Sequence, residues 1–378
     1  MNTLEKTNLT LGFVPLTDSA PLIIAKEMNF FARWGLDVTL QKQNSWATLR
    51  DKLHLGLLDA AQMLAPMPIA SSLGLGVEAT PVITPFVLSL NGNAITLSES
   101  LHQEILQANK LSHITLPMAA YLLKQVIADR QQRQQAKLIF ATVFPHSCHH
   151  YQLRDWLSSA KISAQDVEIV VVPPVNMVGF LQSGEVDGCC VGGPWNAKAV
   201  RAGIGITALT SYDIWQDSPE KVLGCLQSWQ QRHPSTLLAL CAALQQACNW
   251  LETVPNRFEA ARLLCQTQYL DAEIDVIAPS LLGSCLTHKN KAPRFIPSYN
   301  QFSSSDNASI NLPQLVRGEW LLKQMQGAGQ IDAASLPADF VSKVFRPDLY
   351  RQMRTLLDQS DRVSPMVKPQ NTGNAVSG

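Results

Sequence analysis

Charged residues are scarce in this chain, and their signs cancel. They make up 16% of the 378 residues, with 30 lysines and arginines against 30 aspartates and glutamates. A disordered chain combines high charge with low hydrophobicity, whereas 46% of the residues here are hydrophobic. General nucleic-acid binders and polybasic membrane-surface proteins carry a basic excess, which is missing here. The composition therefore predicts a folded protein and argues against direct contact with nucleic acid or a membrane.

Long apolar runs and an export signal are also missing from the sequence as given. No stretch of about 18 apolar residues occurs, so no membrane-spanning helix is predicted. The first ten residues carry no net positive charge, because Glu5 cancels Lys6. The apolar stretch that follows is interrupted by Gly12 and Pro15, and no small-residue cleavage site comes after it. These features predict a cytoplasmic location.

The eight cysteines do not form a recognisable disulfide framework. A chain of 378 residues can bury a large core without covalent staples. Cys189 and Cys190 are adjacent, and three others lie in segments that have the pattern of buried helices. We expect reduced cysteines that pack as small hydrophobic residues.

Short apolar runs alternate with helical periods from the start of the chain. Strands are predicted at 9–14, 38–40 and 60–63, with helices at 19–31 and 46–55 between them. This β-α-β-α-β order predicts an α/β fold whose sheet is mostly parallel and covered on both faces.

The same alternation continues along the chain and predicts two α/β lobes. Residues 1–98 and 212–363 are expected to form lobe 1, and residues 99–211 lobe 2, with a ligand cleft between them. The region 287–313 is rich in Ser, Asn and Pro and is predicted to be a long surface loop, and residues 364–378 a disordered tail.

The densest polar cluster, FPHSCHH at 144–150, lies between a predicted strand and a predicted helix. A helix N-terminus at the carboxyl end of a strand suits an anion, because free N–H groups and the helix dipole point outward. The alternatives are a metal site on His146 and His150, a Cys148–His149 nucleophilic pair, and a helix cap without a ligand.

Other candidates are weaker when each is taken alone. The stretch 187–196, DGCCVGGPWN, places two glycines after a strand, which lets backbone N–H groups approach a small ligand. A plain strand-to-helix turn explains it equally well. Trp46 is typical of core packing, Asn93 of a turn, and Lys221 of a solvated surface.

Taken in order, these segments resemble the nitrate- and bicarbonate-binding proteins of ABC importers. The resemblance is dense over about 9–260 and looser beyond. It is carried by GFVPLTDSAP (12–21), KEMNFFARWGL (26–36), SW (45–46), LDAAQMLAPMP (58–68), NGNAITL (91–97), the 144–157 segment, DGCCVGGPWNAKA (187–199) and PEKVLG (219–224).

The resemblance implies a two-lobed periplasmic-binding-protein-like fold of type II that holds an anion in the interlobe cleft. It implies an indole N–H from Trp46, an amide from Asn93, a ring N–H from His149, a backbone N–H from Gly192 and the ammonium of Lys221. It implies no catalytic residue, metal or cofactor.

Lys221 also bears on which anion is expected. Nitrate and nitrite only accept hydrogen bonds, so a site made of donors and a cation suits them, whereas bicarbonate also donates one. Proteins of this family that take bicarbonate resemble each other in having an acid at this position. A lysine here therefore favours nitrate or nitrite.

Within the family, the missing export signal makes the chain most similar to the cytoplasmic nitrate/nitrite sensors of the NasS type. Those proteins hold an RNA-binding antitermination regulator of the ANTAR type inactive until the anion binds. The resemblance thus implies a sensor that controls nitrate-assimilation genes. The alternatives are a nitrate-binding component of an ABC importer and, since thiamine-pyrimidine synthases share the fold class, an enzyme.

Overall fold

The computed structural model describes residues 3–304 and 310–363. The predicted tail, 364–378, lies outside the described residues. Within the described part of the chain, no helix combines the length and the hydrophobicity needed to cross a bilayer.

Two mixed sheets form the centres of two lobes. Sheet 1 has the strand order β13-β4-β10-β3-β1-β2, sheet 2 has the order β7-β6-β8-β5-β9, and β11 pairs with β12. The strands are β1 Asn8–Phe13, β2 Asp37–Lys42, β3 Ala60–Leu64, β4 Val82–Asn91, β5 Asn93–Ser98, β6 Leu138–Thr142, β7 Val167–Val171, β8 Gly188–Gly192, β9 Gly205–Thr210, β10 Pro219–Leu226, β11 Ser284–Cys285, β12 Arg294–Phe295 and β13 Asn300–Gln301.

Helices cover both sheets. They are α1 Ala20–Glu27, α2 Phe30–Arg33, α3 Trp46–His54, α4 Met67–Leu73, α5 Glu99–Ala108, α6 Leu123–Gln132, α7 Cys148–Ser159, α8 Met177–Ser183, α9 Trp195–Ala202, α10 Ser211–Trp215, α11 Gln227–Arg232, α12 Pro234–Trp250, α13 Val254–Leu264, α14 Ile274–Leu281, α15 Leu315–Gly327, α16 Phe340–Val344 and α17 Pro347–Val363.

The predicted alternation of strands and helices is confirmed at the start of the chain, but the sheets are less parallel than predicted. β1 pairs parallel with β2 and β3, as the β-α-β-α-β order requires. β10 instead runs antiparallel to both β3 and β4, because it brings the chain back from the second lobe. β5 is likewise antiparallel to both of its neighbours in sheet 2.

The chain crosses between the lobes at Gly92, six residues before the predicted boundary at 98. β4 ends at Asn91 in sheet 1, and β5 starts at Asn93 in sheet 2. The Asn-Gly-Asn sequence resembles a hairpin turn, but here it carries the chain from one sheet to the other. The chain returns between α10, which packs on the second lobe, and β10, so the return also lies beyond the predicted boundary at 212.

The predicted surface loop at 287–313 holds for residues 289–293, which are exposed, but not for the rest of its described part. Within it, β12 pairs with β11, and β13 extends sheet 1 by pairing with β4. The Arg294 guanidinium binds both carboxylate oxygens of Asp213, at 3.0 and 2.8 Å. Asn300 is fully buried. Polar composition suggested solvent exposure, whereas these polar side chains find partners in both lobes.

The two lobes are in contact across the cleft. One apolar cluster joins Leu16 and Trp46 of the first lobe to Phe144 and Tyr151 of the second. At its edge, the Thr17 backbone N–H donates to the carbonyl of Gly193 at 2.8 Å. The structure therefore describes the two lobes closed on each other.

Gly92 should be the sensitive point of the crossing. Its φ is +101°, and a Cβ there would lie 2.4 Å from Oδ1 of the buried Asn300. We expect Gly92→Ala to lower the free energy of unfolding by more than about 1 kcal/mol, because both the backbone and the contact become strained. Urea unfolding measures this.

Gly179→Ala is the matched control. Gly179 lies in α8, and a Cβ there would meet no atom within 4 Å. Alanine should leave the free energy of unfolding unchanged or raise it by up to about 1 kcal/mol. Equal stability of the Gly92 and Gly179 variants would contradict this account of the crossing.

Candidate functional site

Trp46 and His149 enter the cleft from opposite lobes, each in the first turn of a helix. Trp46 begins α3, whose N-cap Ser45 accepts a hydrogen bond from the Thr48 N–H at 3.1 Å. His149 is the second residue of α7, whose N-cap Ser147 accepts from the backbone of a residue one turn on. Both side chains are fully buried. The polar cluster at 144–150 therefore caps a helix and also sends one histidine into the cleft.

Asn93 and Gly192 lie side by side on the second lobe. They are paired residues of the β5–β8 ladder, and both are buried. A Cβ on Gly192 would lie 3.5 Å from Asn93 Oδ1 and 3.6 Å from Asp18 Oδ2. The glycine backbone therefore faces the same polar space as these two side chains.

Lys221 comes from the first lobe and is fully buried. The alternative of a solvated surface lysine is wrong. Its Nζ lies 2.8 Å from Asp18 Oδ2 and 2.8 Å from Glu220 Oε1. It also lies 5.7 Å from the centroid of the Trp46 ring, within the range of a cation–π contact.

The two carboxylates beside Lys221 were not predicted, and the expected site of donors and one cation is therefore incomplete. Asp18 and Glu220 are 1% and 0% exposed. Asp18 follows β1, and Glu220 precedes Lys221 on β10. These two strands flank β3 in sheet 1, and the sheet brings the two acids together. Both lie in segments that carry the family resemblance, but no sequence spacing links them.

Two glutamines complete this polar shell. Gln62 Nε2 donates to Asp18 Oδ1 at 2.7 Å, and its Oε1 accepts from the backbone N–H of Val14, just after β1, at 3.1 Å. Asn93 Nδ2 donates to Gln152 Oε1 at 3.0 Å. Every one of these side chains is buried, so hydrogen bonds within the protein, rather than contacts with water, hold the shell in place.

Several buried polar atoms of the site have no hydrogen-bond partner among the described residues. Buried polar groups are nearly always paired, so such a concentration indicates room for a polar ligand. His149 Nδ1 lies 3.3 Å from Glu220 Oε1, but the angles of a hydrogen bond are not met. The unpartnered atoms are Trp46 Nε1, Asn93 Oδ1, His149 Nδ1 and Nε2, Gln152 Nε2 and Glu220 Oε2.

Burial dominates the protonation of the site. Burial and the nearby Lys221 charge lower the pKa of His149 well below its usual range, so the ring is neutral near pH 7. Burial raises the pKa of Asp18 and of Glu220, although Lys221 opposes the shift in both. Burial lowers the pKa of Lys221, but the two carboxylates outweigh it and the net shift is upward.

The Cys148–His149 nucleophilic pair is not formed. The Cys148 thiol donates to the carbonyl of Pro219 at 3.2 Å, and burial raises its pKa well above the usual range. Burial also raises the pKa of Cys189, to about 12, and of Cys190. These thiols stay protonated, which fits their predicted role as reduced packing residues.

His146 and His150 do not join a cluster of three metal-ligand residues in the described chain. The cluster found there consists of Glu99, His102 and His288. The backbone N–H of Asn290 donates to His288 Nδ1 at 3.3 Å, so a neutral ring carries its hydrogen on Nε2. That nitrogen faces Glu99 at 3.7 Å and is not free to bind an ion.

Comparison with known proteins places the chain in a family. Residues 2–265 match the profile of the NMT1-like family. The chain is 33% identical over 357 residues to the nitrate/nitrite binding protein NrtA of Synechococcus elongatus, covering 92% of this chain and 77% of that protein. It is 37% identical over 352 residues to the nitrate import ATP-binding protein NrtC of Synechocystis, covering 92% of this chain and 50% of that protein.

The fold is shared with a solved relative. The crystal structure of the periplasmic nitrate-binding protein NrtA from Synechocystis PCC 6803 superposes with a TM-score of 0.85 at 29% identity, covering 96% of this chain and 92% of that one. The chain spans about half the length of relatives named as ATP-binding proteins of nitrate or bicarbonate transport.

The predicted periplasmic-binding-protein-like α/β fold is thus confirmed, and so is the resemblance at the level of the family. The family profile matches well over half of the residues, and the relatives of similar length are named for the anions they bind. The chain belongs to the NMT1-like family and is a homologue of the nitrate-binding NrtA proteins.

Proposed function

We propose that this chain binds nitrate or nitrite in the cleft between its lobes, with Trp46, Asn93, His149, Gly192 and Lys221 around the anion. The observation that carries the proposal is a fully buried lysine surrounded by polar atoms of both lobes that have no hydrogen-bond partner among the described residues. The names of the NrtA relatives support the choice of anion.

The geometry suits a small planar anion. In the described part of the chain, the Trp46 indole N–H and the Gln152 amide N–H are buried donors without partners, and a neutral His149 ring adds one more. Lys221 supplies the positive charge in a space from which water is excluded, where charge-assisted hydrogen bonds are strong. Nothing in this arrangement activates a bond, so we propose binding without catalysis and without a cofactor or metal.

The role of Lys221 can be tested by removing its charge. Lys221→Met should weaken nitrate binding by on the order of 2–5 kcal/mol, a loss of roughly 30-fold or more, because the anion loses its counter-charge. Titration calorimetry with nitrate and nitrite measures this. Lys137→Met is the control, since Lys137 is an exposed residue before β6. Unchanged affinity in Lys221→Met would rule out the assigned site.

Trp46→Phe tests the site without leaving a carboxylate unpaired. The Trp46 indole N–H has no partner among the described residues, so the substitution removes a donor that the empty protein does not use. Nitrate affinity should fall about 10- to 150-fold, the worth of a hydrogen bond to a charged group.

Trp34→Phe is the matched control for packing. Trp34 is 4% exposed, and its indole N–H donates to Gln246 Oε1 at 3.1 Å. It packs in a different apolar cluster from the one that contains Trp46. Thermal unfolding should show a loss of stability in both variants, whereas calorimetry should show lost affinity in Trp46→Phe alone. Equal nitrate affinity in the two would contradict the proposal for Trp46.

We further propose the role of a cytoplasmic sensor that holds an RNA-binding antitermination regulator until nitrate or nitrite binds. Trp46 and Lys221 come from one lobe, and Asn93, His149 and Gly192 from the other, so a bound anion favours the closed lobes. A regulator that docks across the open lobes loses contact when they close, and by linkage it weakens anion binding in return.

The alternative is the nitrate-binding component of an ABC importer, which the names of the relatives favour. Co-elution of the chain with the regulator at rising nitrate or nitrite separates the two roles. The sensor role requires a complex that weakens at least tenfold on saturation, equivalent to about 1.4 kcal/mol of coupling. A complex that never forms, or a protein recovered from the periplasmic fraction of cells, rules out the sensor role and favours the importer role.

A further inference from the structure

The buried cleft holds two carboxyl groups and one ammonium before any anion enters. Asp18 and Glu220 each lie 2.8 Å from the Lys221 ammonium, which is the one cation in contact with them in the described structure. With both carboxylates ionised, the three groups sum to one negative charge. An anion that binds beside Lys221 adds a second, in a space shielded from water.

The two carboxylates differ in how many of their oxygens already have a hydrogen-bond partner. Both oxygens of Asp18 are engaged, one by Gln62 Nε2 at 2.7 Å and one by Lys221 Nζ at 2.8 Å. Glu220 is engaged by Lys221 through Oε1 alone, and its Oε2 has no partner among the described residues. Glu220 therefore offers a proton an oxygen without a partner, whereas each oxygen of Asp18 already accepts a hydrogen bond.

The titratable groups near Glu220 come from its own strand and from three other parts of the chain. Lys221 is its neighbour on β10, Asp18 follows β1, Cys148 and His149 lie on α7, and Cys190 lies on β8. The two thiols are protonated and neutral, and burial keeps the His149 ring neutral. The group here that can take up a proton is thus Glu220, whose pKa burial raises, and His149 Nδ1 lies 3.3 Å from it, close enough to share that proton.

We propose that each nitrate or nitrite enters this cleft together with one proton, which is held by the Glu220–His149 pair. The inference rests on the anion-binding function proposed above and adds to it a determinant of specificity. The proton comes from solvent and binds to a carboxylate oxygen or ring nitrogen, so no bond of the anion is broken. The charge of the cleft is then the same before and after binding.

Protonation also corrects the hydrogen-bonding mismatch that the two acids introduce. An ionised Glu220 presents an unpartnered acceptor to an anion that itself only accepts hydrogen bonds. A protonated Glu220 presents an O–H donor instead. The pair therefore turns a site with two carboxylates into the set of donors that nitrate and nitrite need.

The test is the proton stoichiometry of binding, measured by nitrate titration calorimetry in buffers of different ionisation enthalpy between pH 6 and 9. The full chain should take up about one proton per anion, and its Kd should rise about tenfold per pH unit above the pKa of the empty pair. Nitrate binding with no proton uptake and a constant Kd would overturn the inference and leave the proposed function intact. Absence of nitrate and nitrite binding at every pH would overturn both.

Glu220→Gln identifies the group responsible. Glutamine is neutral at every pH and keeps a donor near the position of Oε2. This variant should bind nitrate without proton uptake, and above pH 8 it should bind more tightly than the unmodified chain. Glu168→Gln, an exposed position on β7, should keep both the uptake and the pH dependence. Undiminished proton uptake in Glu220→Gln overturns the assignment to the pair, whether or not its affinity changes.

Discussion

The buried ion cluster of Asp18, Lys221 and Glu220 is the constraint on which the rest of the cleft depends. Taking three charges out of water is costly unless they satisfy one another, and each contact here is 2.8 Å. Asp18 sits beyond the end of β1, while Lys221 and Glu220 sit at the start of β10, so sheet 1 must hold its strand order for the cluster to form. The lysine is thereby held over the Trp46 ring, close enough to His149 of the second lobe for its charge to lower the pKa of that ring.

Much of the fold could be predicted from the sequence because local patterns decide it. The helix beginning at Trp46 and the strand beginning at Ala60 lie where periodicity and capping place them. The passage at Gly92 could not be predicted, since Asn-Gly-Asn has the same composition whether the next strand folds back or joins another sheet. The 287–313 segment failed for a related reason: polar residues such as Arg294 were assigned to solvent, and their partners lie far away in the chain.

The residues of the site also fall into those that could be predicted from the sequence and those that could not. The five residues that the resemblance implied do converge in the cleft, although spacing alone favoured a surface position for Lys221. Asp18 and Glu220 could not be found, because nothing in the sequence says that two acids separated by some two hundred residues share one ammonium. The inference from lysine to a site of donors was therefore incomplete: the lysine's charge is already balanced, and the protonation of Glu220 decides what the cleft offers an anion.

This balance links anion chemistry to lobe closure. Lys221, Glu220 and Trp46 belong to the first lobe, whereas His149, Asn93 and Gln152 belong to the second, so their unpartnered atoms are brought together only when the lobes meet. Closure without a ligand buries donors and acceptors that lose water and gain nothing, which opposes the closed state. An anion accompanied by a proton satisfies both sides at once. In the proposed function, the binding free energy of the anion therefore helps to hold the lobes together, and a partner or a transporter that senses the separation of the lobes would sense the anion.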